Sequence, residues 1–145
     1  MLTPLGTLPS GASGAPVGQN VPEILVIDDS PPTARALASL LTRESYRPAV
    51  FHRGTDALDY ARRHPCLAAV VDIHLPDMNG LVLSQKLREQ FGPLVPIVIL
   101  SGDTSISTLN SLPHVGATHF FSKPVSASHL LERLKEWIGE SGKRD

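Results

Sequence analysis

Five residues of this 145-residue chain are of types that could share one piece of chemistry: Asp28, Asp29, Asp72, Ser101 and Lys123. Three carboxylates held near one another repel, and at least one has its pKa raised unless a cation is present. Oxygen ligands of this kind suit a hard divalent ion such as Mg²⁺. A lysine and a hydroxyl beside a metal-bound carboxylate serve no purpose in metal storage. They do serve a phosphoryl group, whose charge needs cationic and hydrogen-bonding partners. An aspartate can itself be the nucleophile and form an acyl phosphate. The residue types thus point to phosphoryl transfer onto an aspartate with Mg²⁺.

Each residue taken singly has a plainer reading. Asp28 and Asp29 could polarise the start of a helix. Asp72 could open a turn, because residues 75–80 (Leu75, Pro76, Asp77, Met78, Asn79, Gly80) form a rich turn signal. Ser101, Gly102 and Asp103 could be an ordinary helix-start loop, and Lys123 with Pro124 a solvated one. What joins them is the position of each relative to the elements around it.

Short apolar runs alternate with stretches of helical period from Glu23 onward. Strands are predicted at Ile24–Ile27, Pro48–Phe51, Leu67–Val71, Ile97–Leu100 and His119–Phe121. After the first strand, Ala34, Leu37, Ala38 and Leu41 mark one face of a helix, with Ser30 as N-cap and Pro31 at its first position. A second helix runs from Thr55 to about Arg63. A third, after Gly80, carries Leu83, Leu87 and Phe91, and a last one carries Leu130, Leu131, Leu134, Trp137 and Ile138. Between Thr104 and Leu112 a fourth helix is weak by propensity, being rich in β-branched and hydroxyl residues before Pro113. Five strands each followed by a helix predict an α/β, doubly wound (βα)₅ domain with a parallel sheet covered on both faces. Ligands of such sheets lie at the carboxyl ends of the strands. There the first strand ends in Asp28 and Asp29, the third in Asp72 and the fourth in Ser101, with Lys123 just beyond the fifth. The second strand contributes nothing obvious.

Composition narrows the setting. Residues 1–22, with four prolines, four glycines and no charged residue, read as a flexible tail ahead of a domain over 23–139, and 140–145 as a short C-terminal tail. A formal net charge of -1 without long charge runs argues against a nucleic-acid or membrane-surface binder. No apolar stretch reaches the roughly 18 residues of a membrane span, and the N-terminus lacks the regions of a secretory signal. One cysteine, Cys66, excludes an internal disulfide framework and reads as a small core residue. The expected location is cytoplasmic.

The residues around these positions resemble the receiver domain of two-component response regulators. The resemblance spans Glu23 to Gly139 and rests on Ile24–Ser30, Val70–Gly80, Ile99–Gly102 and Gly116–Pro124. It implies flavodoxin-like strand order 2-1-3-4-5 and assigns roles. Asp72 is the phosphoacceptor, with Ser101 hydrogen-bonding the phosphoryl group and Lys123 pairing with its charge. Mg²⁺ is held by Asp29 directly, by Asp28 through water, by Asp72 and by the backbone carbonyl of His74. Phe120 matches the switch aromatic that acts with Ser101, although it lacks a tyrosine's hydroxyl. Gly80 fits the family's glycine eight residues after the phosphoacceptor. The implied donor is a histidine kinase or histidine phosphotransfer protein. The implied readout is a downstream protein, or a second copy, docking on the fourth helix, fifth strand and last helix. Such a domain is a signalling receiver, assisting only its own phosphorylation and dephosphorylation, and here one with no output domain attached.

Other readings fit less well. A haloacid-dehalogenase-type hydrolase wants a second aspartate two residues after the nucleophile, where this chain has His74. A flavodoxin-type flavin site wants a phosphate loop where it has Asp28, Asp29, Ser30, Pro31 and Pro32. A phosphate-insensitive interaction module has no need of Ser101 and Lys123. The receiver piece of a larger hybrid histidine kinase remains open.

Overall fold

In the computed structural model, residues 23–102 and 118–143 are described. The elements are β1 Glu23–Ile27, α1 Pro31–Arg43, β2 Arg47–Phe51, α2 Gly54–Arg63, β3 Ala68–Asp72, α3 Gly80–Phe91, β4 Ile97–Ser101, β5 Thr118–Ser122 and α4 Ala127–Lys143. The segment 104–112, read from sequence as a fourth helix, and the tail 1–22 lie outside the described residues. All four strand pairings are parallel, and the order is β2-β1-β3-β4-β5. The doubly wound sheet expected from the alternation is the one observed.

Successive strand residues point to opposite faces, and this splits the apolar runs into two cores. Ile24, Val26, Ala68, Val70, Val98 and Leu100 face α1 and α4, meeting Leu37, Leu41, Leu130, Leu134 and Trp137. Leu25, Ile27, Ala69, Val71, Ile97 and Ile99 face α2 and α3, meeting Ala57, Leu58, Leu83 and Leu87. Burial on both faces explains why β1, β3 and β4 read as continuous apolar runs. Truncating a side chain such as Leu134 to alanine removes roughly 2–5 kcal/mol.

Two details depart from the sequence pattern. Ser30 occupies the N-cap position of α1 with extended backbone, but its side chain makes no cap hydrogen bond. Its amide instead donates to Asp28 Oδ1 at 2.8 Å. Arg88, in the last turn of α3, is buried. Its guanidinium donates to the carbonyls of Gly92 (2.9 Å) and Val95 (2.7 Å) and to Thr118 Oγ1 (2.9 Å). It therefore ties the end of α3 to the first residue of β5 through neutral oxygens, and burial lowers its pKa.

Candidate functional site

The parallel register brings the ends of four strands to one edge. Ile27 pairs with Val71 and Asp72 with Leu100, so Asp28 and Asp29 emerge beside the end of β3. Ser101 pairs with Ser122, and the next amide, Lys123 N–H, donates to the Ser101 carbonyl at 2.8 Å. Asp28, Asp72 and Ser101 lie at the ends of the buried strands β1, β3 and β4, and Lys123 follows the half-buried edge strand β5.

Asp28, Asp29 and Asp72 each offer a carboxylate oxygen, and these oxygens lie within 4.8 Å of one another. Asp28 and Asp72 are 2% and 3% exposed, whereas Asp29 is open to solvent. Lys123 reaches in from the end of β5. Its Nζ donates to Asp72 Oδ2 at 2.9 Å and stands 3.7 Å from Asp28 Oδ2. The other Asp72 oxygen, Oδ1, accepts from the amide of His74 at 3.1 Å.

The electrostatics follow from this crowding. Burial pushes the Asp28 carboxyl up to about 6. The Ser30 amide works against that shift, the nearby Asp72 carboxylate adds to it, and Lys123 opposes it. Burial alone would lower the Lys123 ammonium. The hydrogen bond to Asp72 and the charges of Asp28, Asp72 and Asp29 outweigh it, leaving its pKa raised.

One lysine cannot neutralise three carboxylates. Asp28 Oδ2 is buried without a hydrogen-bond partner, an arrangement that costs free energy unless a cation compensates it. An all-oxygen donor set with one open side at Asp29 fits a hard divalent ion.

Ser101 is buried at the end of β4, and Phe120 packs half-buried against the core under α2 and α3. His74, expected to contribute its carbonyl, is exposed and forms a bridge with Asn79. Asn79 caps α3, its Oδ1 accepting from Leu81 N–H at 2.7 Å. The Lys123–Pro124 peptide is cis.

Two neighbours of the site were not singled out by residue type. His52, directly after β2, places Nδ1 2.8 Å from the carbonyl oxygen of Asp28. The second strand, expected to add nothing, thus touches the acidic pair. Asp77, read only as a turn residue, accepts from Gly54 N–H at 2.8 Å and Thr55 N–H at 2.9 Å. The available signal was positional, a polar residue following β2 where the other strands carry theirs.

Over residues 24–135 the sequence matches the response regulator receiver domain, and the chain belongs to that family. The photosynthetic apparatus regulatory protein RegA of Rhodovulum sulfidophilum is 34% identical over 113 residues, which make up 78% of this chain and 61% of RegA. The chain spans about half the length of the curated relatives it matches. Among solved structures, one similar fold is the receiver domain of sensor histidine kinase PA1611 from Pseudomonas aeruginosa PAO1, with a magnesium ion coordinated in its active-site cleft. It is 27% identical, with a TM-score of 0.71, covering 81% of this chain and 98% of that one. A response regulator from Burkholderia pseudomallei, carrying a phosphorylated aspartic acid, a calcium ion and citrate, is 30% identical. Its TM-score is 0.71, and the match covers 85% of this chain and 72% of that one.

Proposed function

We propose that Asp72 accepts a phosphoryl group from the phosphohistidine of a histidine kinase or histidine phosphotransfer protein, and that the phosphorylated site switches a protein-binding surface. The observation that carries this reading is Lys123, whose ammonium lies on Asp72 and beside Asp28 in a cluster of three carboxylates. A lysine there is of no use to a metal store and of direct use to a phosphoryl group.

In the transfer, an Asp72 carboxylate oxygen forms a bond to phosphorus as the phosphorus–nitrogen bond breaks, and the donor imidazole leaves with its electron pair. Lys123 pairs with the negative charge of the phosphoryl oxygens, and the Ser101 hydroxyl donates to one of them. Asp28, Asp29, Asp72 and the His74 carbonyl are the groups that would hold Mg²⁺, which supplies neutralising charge to the phosphoryl oxygens. The magnesium of the PA1611 receiver and the phosphorylated aspartate of the Burkholderia protein support this assignment by likeness.

The readout we assign to protein contact. Drawing Ser101 and Lys123 toward the new charge leaves space for Phe120 to turn inward. The face that carries β5 and α4 then has two arrangements to offer a partner or a second copy, the expected fourth helix lying outside the described residues. A net charge of -1 without long charge runs argues against nucleic acid as the partner and for protein contact. Incubation with acetyl phosphate and Mg²⁺, read by intact-protein mass spectrometry, tests the core of the reading. One labile adduct is expected, absent from Asp72→Asn, and an adduct that persists in that variant overturns the assignment.

A further inference from the structure

His52 is largely exposed, yet its Nδ1 lies 2.8 Å from the Asp28 carbonyl oxygen in a part-buried contact. A carbonyl oxygen only accepts, so the imidazole donates here through Nδ1–H. The other backbone group of Asp28 is also taken by the end of β2, since Asp28 N–H donates to the Phe51 carbonyl at 3.0 Å. Both hydrogen-bonding groups of the Asp28 main chain are therefore fixed by two consecutive residues, Phe51 and His52.

The carbonyl that His52 holds belongs to the peptide unit joining Asp28 to Asp29. That unit is planar and rigid, so fixing its oxygen fixes the plane from which the Asp29 carboxylate departs. Asp29 needs such help, being the exposed member of the triad. The turn that carries His52 is anchored at its far end as well. The amides of Gly54 and Thr55 donate to Asp77, in the loop that follows Asp72. The β2–α2 turn thus spans the gap between the two acidic loops while adding no carboxylate of its own.

We infer that His52 is a positioning residue for the cation site, holding the Asp28–Asp29 peptide so that both carboxylates meet Asp72 at fixed spacing. The inference rests on the acidic-site reading given under Proposed function. Outer groups that orient ligands in this way commonly alter metal affinity severalfold or more when removed.

The test compares wild type with His52→Leu, which loses the donor, and His52→Asn, whose side-chain amide keeps a donor at the δ position. Calorimetric titration with Mg²⁺ at constant pH reads affinity, circular-dichroism melting in EDTA reads stability, and acetyl phosphate at saturating Mg²⁺ reads competence. His52→Leu is expected to bind Mg²⁺ roughly three- to tenfold more weakly, with His52→Asn near wild type and both variants phosphorylated once Mg²⁺ saturates. Equal affinity in wild type and His52→Leu overturns the inference, as does a loss in His52→Asn as large as in His52→Leu. A lowered melting temperature with unchanged affinity assigns His52 to the fold alone and overturns it too. Failure of the wild type itself to bind Mg²⁺ or take up phosphate is a separate result, overturning the acidic-site reading beneath it.

Discussion

The backbone of Gly80 lies so close to that of Asp72 that a Cβ at Gly80 would stand 2.2 Å from the Asp72 carbonyl oxygen and 2.6 Å from Ile73 Cα. The contact is completed by Gly80 N–H donating to the Ile73 carbonyl at 2.8 Å. The first residue of α3 is thereby seated on the peptide that carries the Asp72 carboxylate. What requires glycine here is proximity to backbone, which cannot rotate aside as a side chain could.

Gly80→Ala is therefore expected to cost about 2 kcal/mol or more, because the overlap must be relieved by moving α3 or the end of β3. Phosphorylation from acetyl phosphate should slow along with it. Urea denaturation checks the first effect, and a variant as stable as wild type would show that the close approach is not maintained in solution.

Lys123→Met leaves two buried carboxylates facing each other without their cation. Breaking a fully buried pair by removing one partner costs about 3–5 kcal/mol. Lys123 is partly open, its side chain 27% exposed, so about 2–3 kcal/mol is expected near neutral pH. The same substitution made in an Asp72→Asn background should cost distinctly less, because one of the stranded charges is then absent. A double-mutant cycle that sums without coupling would refute the pairing.

Asp29→Asn should act in opposite directions on the two states. It removes an open-side carboxylate from the cation site, so Mg²⁺ binding weakens and phosphorylation slows. In EDTA it removes one of three clustered negative charges, and the melting temperature should rise slightly. Calorimetry and thermal melting together decide, and an EDTA melt well below wild type would contradict the clustered-charge account.

Asp77 supplies a pH-dependent test. Its carboxyl is held down at about 2, chiefly by the Thr55 amide, against desolvation and with the Gly54 amide assisting. A folded-state pKa below the unfolded value of 3.8 contributes stability that is present above that value and lost as pH falls through 2. Asp77→Ala should therefore be less stable by about 1 kcal/mol at neutral pH, the usual worth of a helix cap. The gap should narrow between pH 4 and 2 in chemical denaturation. A gap independent of pH would mean that the carboxylate charge plays no part.

Cys66 is buried, and burial, with the charge of Glu23 adding to it, pushes its thiol up to about 11. At pH 8 this leaves a thiolate share on the order of one in a thousand. The native protein should resist alkylation and react at the rate of a free thiol only after unfolding. Fast labelling of the native form would contradict this.

The strands β1, β3 and β4 were legible in the sequence because burial on both faces leaves each as a run of apolar residues too short for a helix. The half-buried edge strands β2 and β5 were legible by their shorter apolar runs. The site was legible because four of its groups end or directly follow such runs. His52 escaped because its role is played toward a main-chain oxygen, and no residue type advertises a partner of that kind. Arg88 escaped for a related reason. An arginine beside Leu87 reads as the solvent edge of an amphipathic helix, and only the turn after α3 shows that carbonyls of Gly92 and Val95 wait for its guanidinium. Ser30 shows the reverse. Its residue type announced a helix cap, but its amide is engaged by Asp28 and its side chain does not cap.

Lys123 follows β5, so it is made 51 residues after Asp72, with which it pairs. During synthesis the three acidic residues are complete long before the ammonium exists. A chain that stops short of residue 123 lacks the ammonium that pairs with Asp72 and Asp28. The parallel crossovers delay matters further, because β5 can join only after β4 is in place beside β3. The Asp72–Lys123 pair can therefore form only in a chain translated and folded through β5.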